Sequence, residues 1–111
     1  MEQLEIIKGN KMIADFMGTE RIIGYTGCDT DIPYHQDWSR LMHALEKICR
    51  TKVGDGVEYV EYATPRTFGM LNEDGQIMVR LNGHQLQTAD TLIEATWMAV
   101  VQFIEWKNSK P

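Results

Sequence analysis

The sequence contains few cysteines and no long apolar run, and these two shortages exclude several classes of protein. Its two cysteines, Cys28 and Cys49, form no CxxC pair, which argues against a zinc ribbon, a thioredoxin-type motif or a disulfide scaffold. No apolar stretch approaches the roughly 20 residues that a membrane-spanning helix needs. Residues 1–8 also lack the basic-then-apolar pattern of a signal peptide. We therefore expect a cytoplasmic protein without a membrane partner.

Recognisable catalytic motifs are missing as well. The two serines, Ser39 and Ser109, lie outside any G-x-S-x-G nucleophile elbow. There is no phosphate-binding loop and no dinucleotide fingerprint. His43 falls on the polar side of a predicted helix, and His84 follows a turn without a neighbouring acid or nucleophile in sequence. We predict that the chain is not an enzyme and holds no cofactor.

Basic residues are outnumbered, with 11 Lys and Arg against 16 Asp and Glu, which gives a net charge of -5. The basic residues are scattered, and the densest group, at positions 47, 50 and 52, falls at a predicted helix end, where cations are favourable. Nucleic-acid binding needs clustered positive charge to meet the phosphates. The composition therefore excludes a general nucleic-acid binder.

What the chain does have is enough apolar material for a core. Hydrophobic residues make up 43% of its 111 residues, which is the size of one domain, so residues 1–111 are predicted to form a single unit. The first predicted element is a short helix, Lys11 to Met17. Asn10 is suited to cap its beginning, and Gly18 tolerates the positive φ that often follows a helix.

Two long helices are predicted further along. One runs from about Asp37 to Arg50, because its apolar residues recur at helical spacing. Cys49 lies on that stripe and is predicted to be a small buried hydrophobe. The other begins with the capping box Thr91-Leu92-Ile93-Glu94 and runs to about Lys107. The stripe of the first of these helices comprises Trp38, Leu41, Met42, Leu45, Ile48 and Cys49.

The strands predicted between and before these helices define the fold class. Val57 to Ala63, Arg66 to Leu71 and Gln76 to Leu81 are rich in strand-forming residues, and Arg21 to Tyr25 is a further candidate. The turn Asn72-Glu73-Asp74-Gly75 joins two of them into a hairpin. We predict an α+β fold with an antiparallel sheet of three to four strands, two long helices and one short N-terminal helix.

The last helix has an apolar surface wider than one sheet face can cover. From this excess we predict a homodimer whose interface includes Leu92, Ala99, Phe103 and Trp106. The alternative is that Leu4, Ile6 and Ile7 fold back over the same surface within one chain.

Three segments carry a resemblance to known proteins, and they are Ile13 to Gly18, Tyr34 to Ile48, and Ile93 to Trp106. They resemble a family of small uncharacterised proteins from Bacteroides-type gut bacteria and their phages, similar to the phage ABA-sandwich proteins. The resemblance implies a phage or prophage origin, a location in the bacterial host cytoplasm and a layered α/β fold. It implies no catalytic residues.

A cluster of aromatic residues is the predicted ligand site. Tyr34, His35 and Trp38 lie where an acidic loop enters the second helix, and Arg66 follows a turn. Aromatic rings with an arginine near a helix N-terminus are suited to a small anionic ligand such as a nucleotide. The alternative is that Tyr34 and Trp38 only complete the edge of the core.

The acidic loop also contains residue types that bind metals, namely Asp29, Asp31, His35 and Asp37. Pro33 and a missing glycine do not fit a calcium-binding loop, so a solvated loop is favoured and no metal site is predicted.

These observations favour a non-enzymatic binding protein that sequesters a ligand or host protein, for example a component of host defence. A structural or accessory protein that self-assembles through the last helix is the alternative. A small metal-dependent hydrolase that uses the acidic loop is a third hypothesis.

Overall fold

The computed structural model describes residues 3–18, 33–55 and 60–109. Within these ranges all strand pairs are antiparallel, so the predicted α+β class is confirmed. The helices are α1 (Gln3–Met17), α2 (Trp38–Cys49) and α3 (Leu92–Ser109). The strands are β1 (Lys52–Asp55), β2 (Val60–Tyr62), β3 (Pro65–Leu71), β4 (Ile77–Leu81) and β5 (Gln87–Ala89).

The sheet is built around one hairpin that the sequence predicted. β3, β4 and β5 form a three-stranded sheet in that order, while β1 and β2 form a separate ladder. The predicted bounds of β3 and β4 are correct within one residue. In the turn between them, the side-chain oxygen of Asn72 accepts from the backbone N–H groups of Asp74 and Gln76 at 3.0 and 2.8 Å. Gly75 has a φ of 79°, as the turn requires.

β1 and β5 are additional to the predicted strands. β1 begins at Lys52, shortly after the end of α2, and contains the Gly54-Asp55 pair. The ladder shifts register between Lys52 and Gly54, and a glycine in a strand often marks such an irregularity. Of the predicted strand Val57 to Ala63, the structure describes β2, and residues 56–59 lie outside the described ranges. The predicted strand at 21–25 lies outside them too.

α1 is twice as long as the predicted helix, and the predicted start at Asn10 is wrong. It begins at Gln3, so Gly9 and Asn10 lie in its middle and are both buried. Gly9 and Asn10 are typical of helix ends, but here their roles are in packing between helices. The predicted end is confirmed, since Gly18 has a φ of 58° and donates its N–H to the Ala14 carbonyl at 3.0 Å.

α2 closely matches its prediction. Asp37 is its N-cap, and its Oδ1 accepts from the Arg40 backbone N–H at 3.2 Å. The centre of the predicted stripe is buried through Leu41, Leu45 and Ile48. Trp38 and Met42, at the edge of the stripe, are exposed instead.

α3 is the central helix of the fold. It packs against β4 and β5 on one side and against α1 and α2 on others. Seven of its residues are buried, and Leu92, Ile93, Met98, Val101 and Trp106 pack against the same core. The wide apolar surface of α3 is therefore largely covered within one chain. None of the helices in the described ranges is long and apolar enough to cross a lipid bilayer.

The start of α3 carries the predicted cap. The Thr91 hydroxyl accepts from the Glu94 backbone N–H at 3.3 Å, which satisfies a donor that the helix itself cannot pair. Replacing Thr91 by alanine is expected to lower the free energy of unfolding by about 1 kcal/mol, measured by urea unfolding. Glu94→Ala is expected to cost less.

Thr64→Ala, at an exposed threonine between β2 and β3, is the matched control and is expected to be nearly neutral. If Thr91→Ala proves as neutral as Thr64→Ala, the cap contributes nothing to the helix.

Candidate functional site

The four residues of the predicted ligand site are in very different surroundings. Tyr34 is fully buried in the core, so a direct ligand contact would require its ring to leave the core. His35 is half-buried beside it. Trp38 begins α2 and is exposed, and Arg66 is exposed on β3. Of the four, only Trp38, at 37%, and Arg66 are exposed, and they belong to different elements.

His35 instead belongs to a buried polar junction that joins α1, α3 and the turn before α2. The Trp97 indole Nε1 donates to the Asn10 Oδ1 at 2.9 Å, and the Asn10 Nδ2 lies 3.0 Å from the His35 Nδ1. Asn10 is one of the two polar residues buried among the described residues. Buried amides are tolerated only when they are hydrogen-bonded, and here both ends of the Asn10 amide have a partner.

The chemistry of the indole fixes the direction of both hydrogen bonds in this junction. An indole N–H can only donate, so the Asn10 oxygen faces Trp97 and the Asn10 NH₂ faces His35. An amide NH₂ can also only donate, so the His35 Nδ1 accepts and the ring proton is on Nε2. The junction therefore holds the His35 ring between the core and the surface through its Nδ1, and its first role is structural.

The acidic loop gives no metal site in the described part of the chain. Asp29 and Asp31 lie outside the described ranges, and Asp37 is engaged as the cap of α2. Among the described residues, no three His, Cys, Asp or Glu side chains form a group that could hold a metal ion.

The residues predicted at a dimer interface are mostly internal. Ala99 and Phe103 are buried within one chain, and Leu92 and Trp106 are half-buried against the core. The covering comes in part from α1, through Gly9 beside Trp97 and the Phe16 ring against Phe103. Of the residues in the alternative, Leu4 and Ile7 are exposed and Ile6 is half-buried. The surplus apolar surface from which the homodimer was predicted is therefore absent at Ala99 and Phe103, and the homodimer itself stays a prediction.

An apolar groove lies elsewhere, between α2 and β3. Its volume is about 360 Å³. Two of the residues that line it, Met42 and Phe68, are large, apolar and exposed to solvent. Two more such residues, Met70 and Leu71, continue along β3. The groove is lined by Met42, Leu45, Glu46, Cys49, Pro65 and Phe68. We call it the α2–β3 groove.

The sequence carries a signal for this groove in the positions of Met42 and Phe68. Met42 lies at the edge of the α2 stripe rather than at its centre, which is where a helix leaves its contact with the core. Phe68 lies on a strand that pairs with β4 on one side and ends the three-stranded sheet of the described residues. Neither feature indicates a binding site by itself, because Met42 and Phe68 become neighbours only in the folded chain.

Cys49 opens into this groove and is half-buried rather than buried as predicted. Burial raises the pKa of its thiol, and the nearby Glu46 carboxylate raises it further. Because the thiolate is the reactive form, alkylation of Cys49 is expected to need a higher pH in the folded protein than in the urea-unfolded chain. The pH–rate profile with iodoacetamide, recorded in a Cys28→Ser background, measures this.

Glu46→Gln separates the two causes. Since burial is the larger one, Glu46→Gln is expected to move the profile only part of the way back toward that of the unfolded chain. A folded-state profile at the same pH as the unfolded one would contradict the burial of the thiol.

Comparison with protein-family models, with curated proteins and with solved structures gives no match. The function of the protein is therefore inferred from its residues and from the geometry described above.

Proposed function

We propose that this protein is a small non-enzymatic binding protein of phage or prophage type that sequesters a host protein, and that the α2–β3 groove receives an apolar segment of that partner. The origin follows from the resemblance of its helices to the phage ABA-sandwich proteins. The observation that carries the proposal is the exposure of large apolar side chains around one groove, chiefly Met42 at 42% and Phe68 at 41%.

The composition of the groove supports a partner with apolar side chains. Among the described residues that line the groove, Glu46 is the one charged residue, and its carboxylate pairs with Arg50 at 2.9 Å. The other described lining residues are apolar apart from the Cys49 thiol, whose pKa is raised by burial. A polar or strongly charged ligand would lose hydration there without gaining hydrogen bonds, whereas an apolar segment gains from burial of both surfaces.

Variants of the groove test this proposal. The tagged protein is expressed in a Bacteroides-type host, and its partners are captured and identified by mass spectrometry. Phe68→Ser and Met42→Ser are expected to lose a discrete partner that the wild type retains. Leu86→Ser is the matched control, because Leu86 is equally exposed but lies outside the groove.

Two results would contradict the proposal. One is a partner retained by both groove variants. The other is light scattering that shows a wild-type dimer converted to a monomer by Phe68→Ser, since a second copy of the chain would then occupy the groove.

A further inference from the structure

Another cleft, separate from the α2–β3 groove, lies between the turn after β4 and the last turns of α3. Its volume is about 700 Å³. The turn contributes His84 and Gln85, and α3 contributes Gln102, Glu105 and Trp106. At its rim, Gly83 has a φ of 81°, and a Cβ at that position would have no described residue within 4 Å apart from its two chain neighbours. The mouth of the cleft is therefore open at the turn.

One wall of the cleft is aromatic and held in place by the core. The rings of His84 and Trp106 lie edge to face, with centroids 4.9 Å apart and an angle of 84°. Both rings also contact Phe103, at 5.1 and 5.6 Å, and Phe103 is fully buried. Since the buried ring supports the two outer ones, this wall is preformed and a ligand need not order it.

A carboxylate and a buried amide oxygen are among the polar groups of the cleft. Glu105 is the one acidic residue among the described lining residues, which include no lysine or arginine. The neighbouring cation on α3, Lys107, has its ammonium group over the Phe16 ring of α1, 5.3 Å from the centroid. The Gln102 Nε2 donates to Gln85 at 3.3 Å, whereas its Oε1 is buried and has no hydrogen-bond partner among the described residues. The Ser109 hydroxyl already donates to the Trp106 carbonyl.

We propose that this cleft binds a guanidinium group, stacked on the Trp106 indole and paired with the Glu105 carboxylate. A guanidinium is flat, stacks on aromatic faces, and carries only donors in a fork that matches a carboxylate. An anion would meet Glu105 and, among the described lining residues, no positive side chain, so its binding is disfavoured. A tryptophan is also the best aromatic partner for a cation. The group is either a free alkylguanidine or an arginine side chain of a partner protein.

The binding is measured by titrating the ¹⁵N-labelled protein with ethylguanidinium and following the indole N–H resonance of Trp106, assigned by its loss in Trp106→Phe. A saturable shift with a dissociation constant of about 1 mM or somewhat above is expected, since the site is open to solvent. An acetylated and amidated Gly-Arg-Gly peptide tests the protein-borne source. Stronger binding of this peptide than of ethylguanidinium assigns the site to an arginine, and the reverse assigns it to a free guanidine.

Three controls make the proposal falsifiable. The same peptide with neutral citrulline in place of arginine is expected to give no saturable shift. Glu105→Gln is expected to weaken binding about fivefold, whereas Glu94→Gln, the same change in the first turn of α3, leaves it unaltered. Equal binding of the citrulline peptide, an unchanged affinity in Glu105→Gln, or no Trp106 shift below the concentration at which guanidinium unfolds the chain would each overturn the proposal.

Discussion

Replacing Trp97 by alanine is expected to reduce the free energy of unfolding by about 3–5 kcal/mol, the range for deleting a large buried aromatic side chain. Trp97 is 4% exposed and packs between α3 and α1. The substitution removes the ring and also leaves the Asn10 Oδ1 buried without its donor. Urea unfolding followed by circular dichroism measures the loss, which is a large share of the total stability of a domain this size.

Trp97→Phe separates the two contributions. It retains much of the apolar volume but removes the indole N–H, so its cost is expected to be about 1–3 kcal/mol, the penalty of an unpaired buried acceptor. A loss below about 1 kcal/mol for Trp97→Ala would show that α1 and α3 do not pack through this ring.

Replacing Gly9 by alanine is expected to destabilise the protein by about 1–3 kcal/mol, the usual cost of overpacking. A Cβ added at Gly9 would lie 2.3 and 2.6 Å from two carbon atoms of the Trp97 ring and 3.1 Å from Val101. Helix propensity predicts the opposite sign, since alanine is favoured over glycine in a helix interior by about 1 kcal/mol. The sign of the measured change therefore decides between close packing and propensity.

A double-mutant cycle links the two predictions. The carbon atoms that the new Cβ would meet belong to the six-membered ring of the indole, which phenylalanine places differently. In a Trp97→Phe background, Gly9→Ala is thus expected to cost much less and to approach the favourable helix propensity. An equal cost in both backgrounds would show that the strain arises from another neighbour.

Local patterns predicted the elements whose signals are themselves local. The cap at Asp37, the hairpin turn ending at Gly75 and the end of α1 at Gly18 depend on residues within a few positions of each other. Each could be read directly, because capping and turn chemistry are short-range. The stripe of α2 was predicted for the same reason, apart from the residues at its edge.

Predictions failed where distant residues reverse the local preference. Gly9 and Asn10 are typical of a helix boundary, yet α1 continues through both. The reason is Trp97, 87 residues beyond Asn10, because its ring packs against Gly9 and its indole N–H donates to the Asn10 side chain. The exposed apolar surface of α3 was overestimated because α1 covers part of it, and the full length of α1 could not be predicted from the sequence. Tyr34 was placed in a ligand site because its partners in the core are not its neighbours in sequence.

The α2–β3 groove and the cleft beside Trp106 were not predicted as sites. Each combines one helix with one part of the sheet, and neither set of residues forms a motif along the chain. His84 illustrates the difficulty, since it follows a turn in sequence but contacts two rings of α3 in space. Such sites follow from the fold, so they become visible only when the elements are assembled.

The hydrogen bond between Asn10 and Trp97 also has a consequence for biosynthesis. The two residues are 87 positions apart, so at elongation rates of about 5–20 residues per second the ribosome finishes Trp97 roughly 4–17 s after Asn10. During that interval the buried face of α1, including Ile13 and Ala14, has no α3 to cover it. The apolar face of α1 in the nascent chain therefore stays uncovered until α3 has been synthesised. A transcript truncated before Trp97 would yield a product whose exposed apolar α1 is accessible to chaperones and proteases.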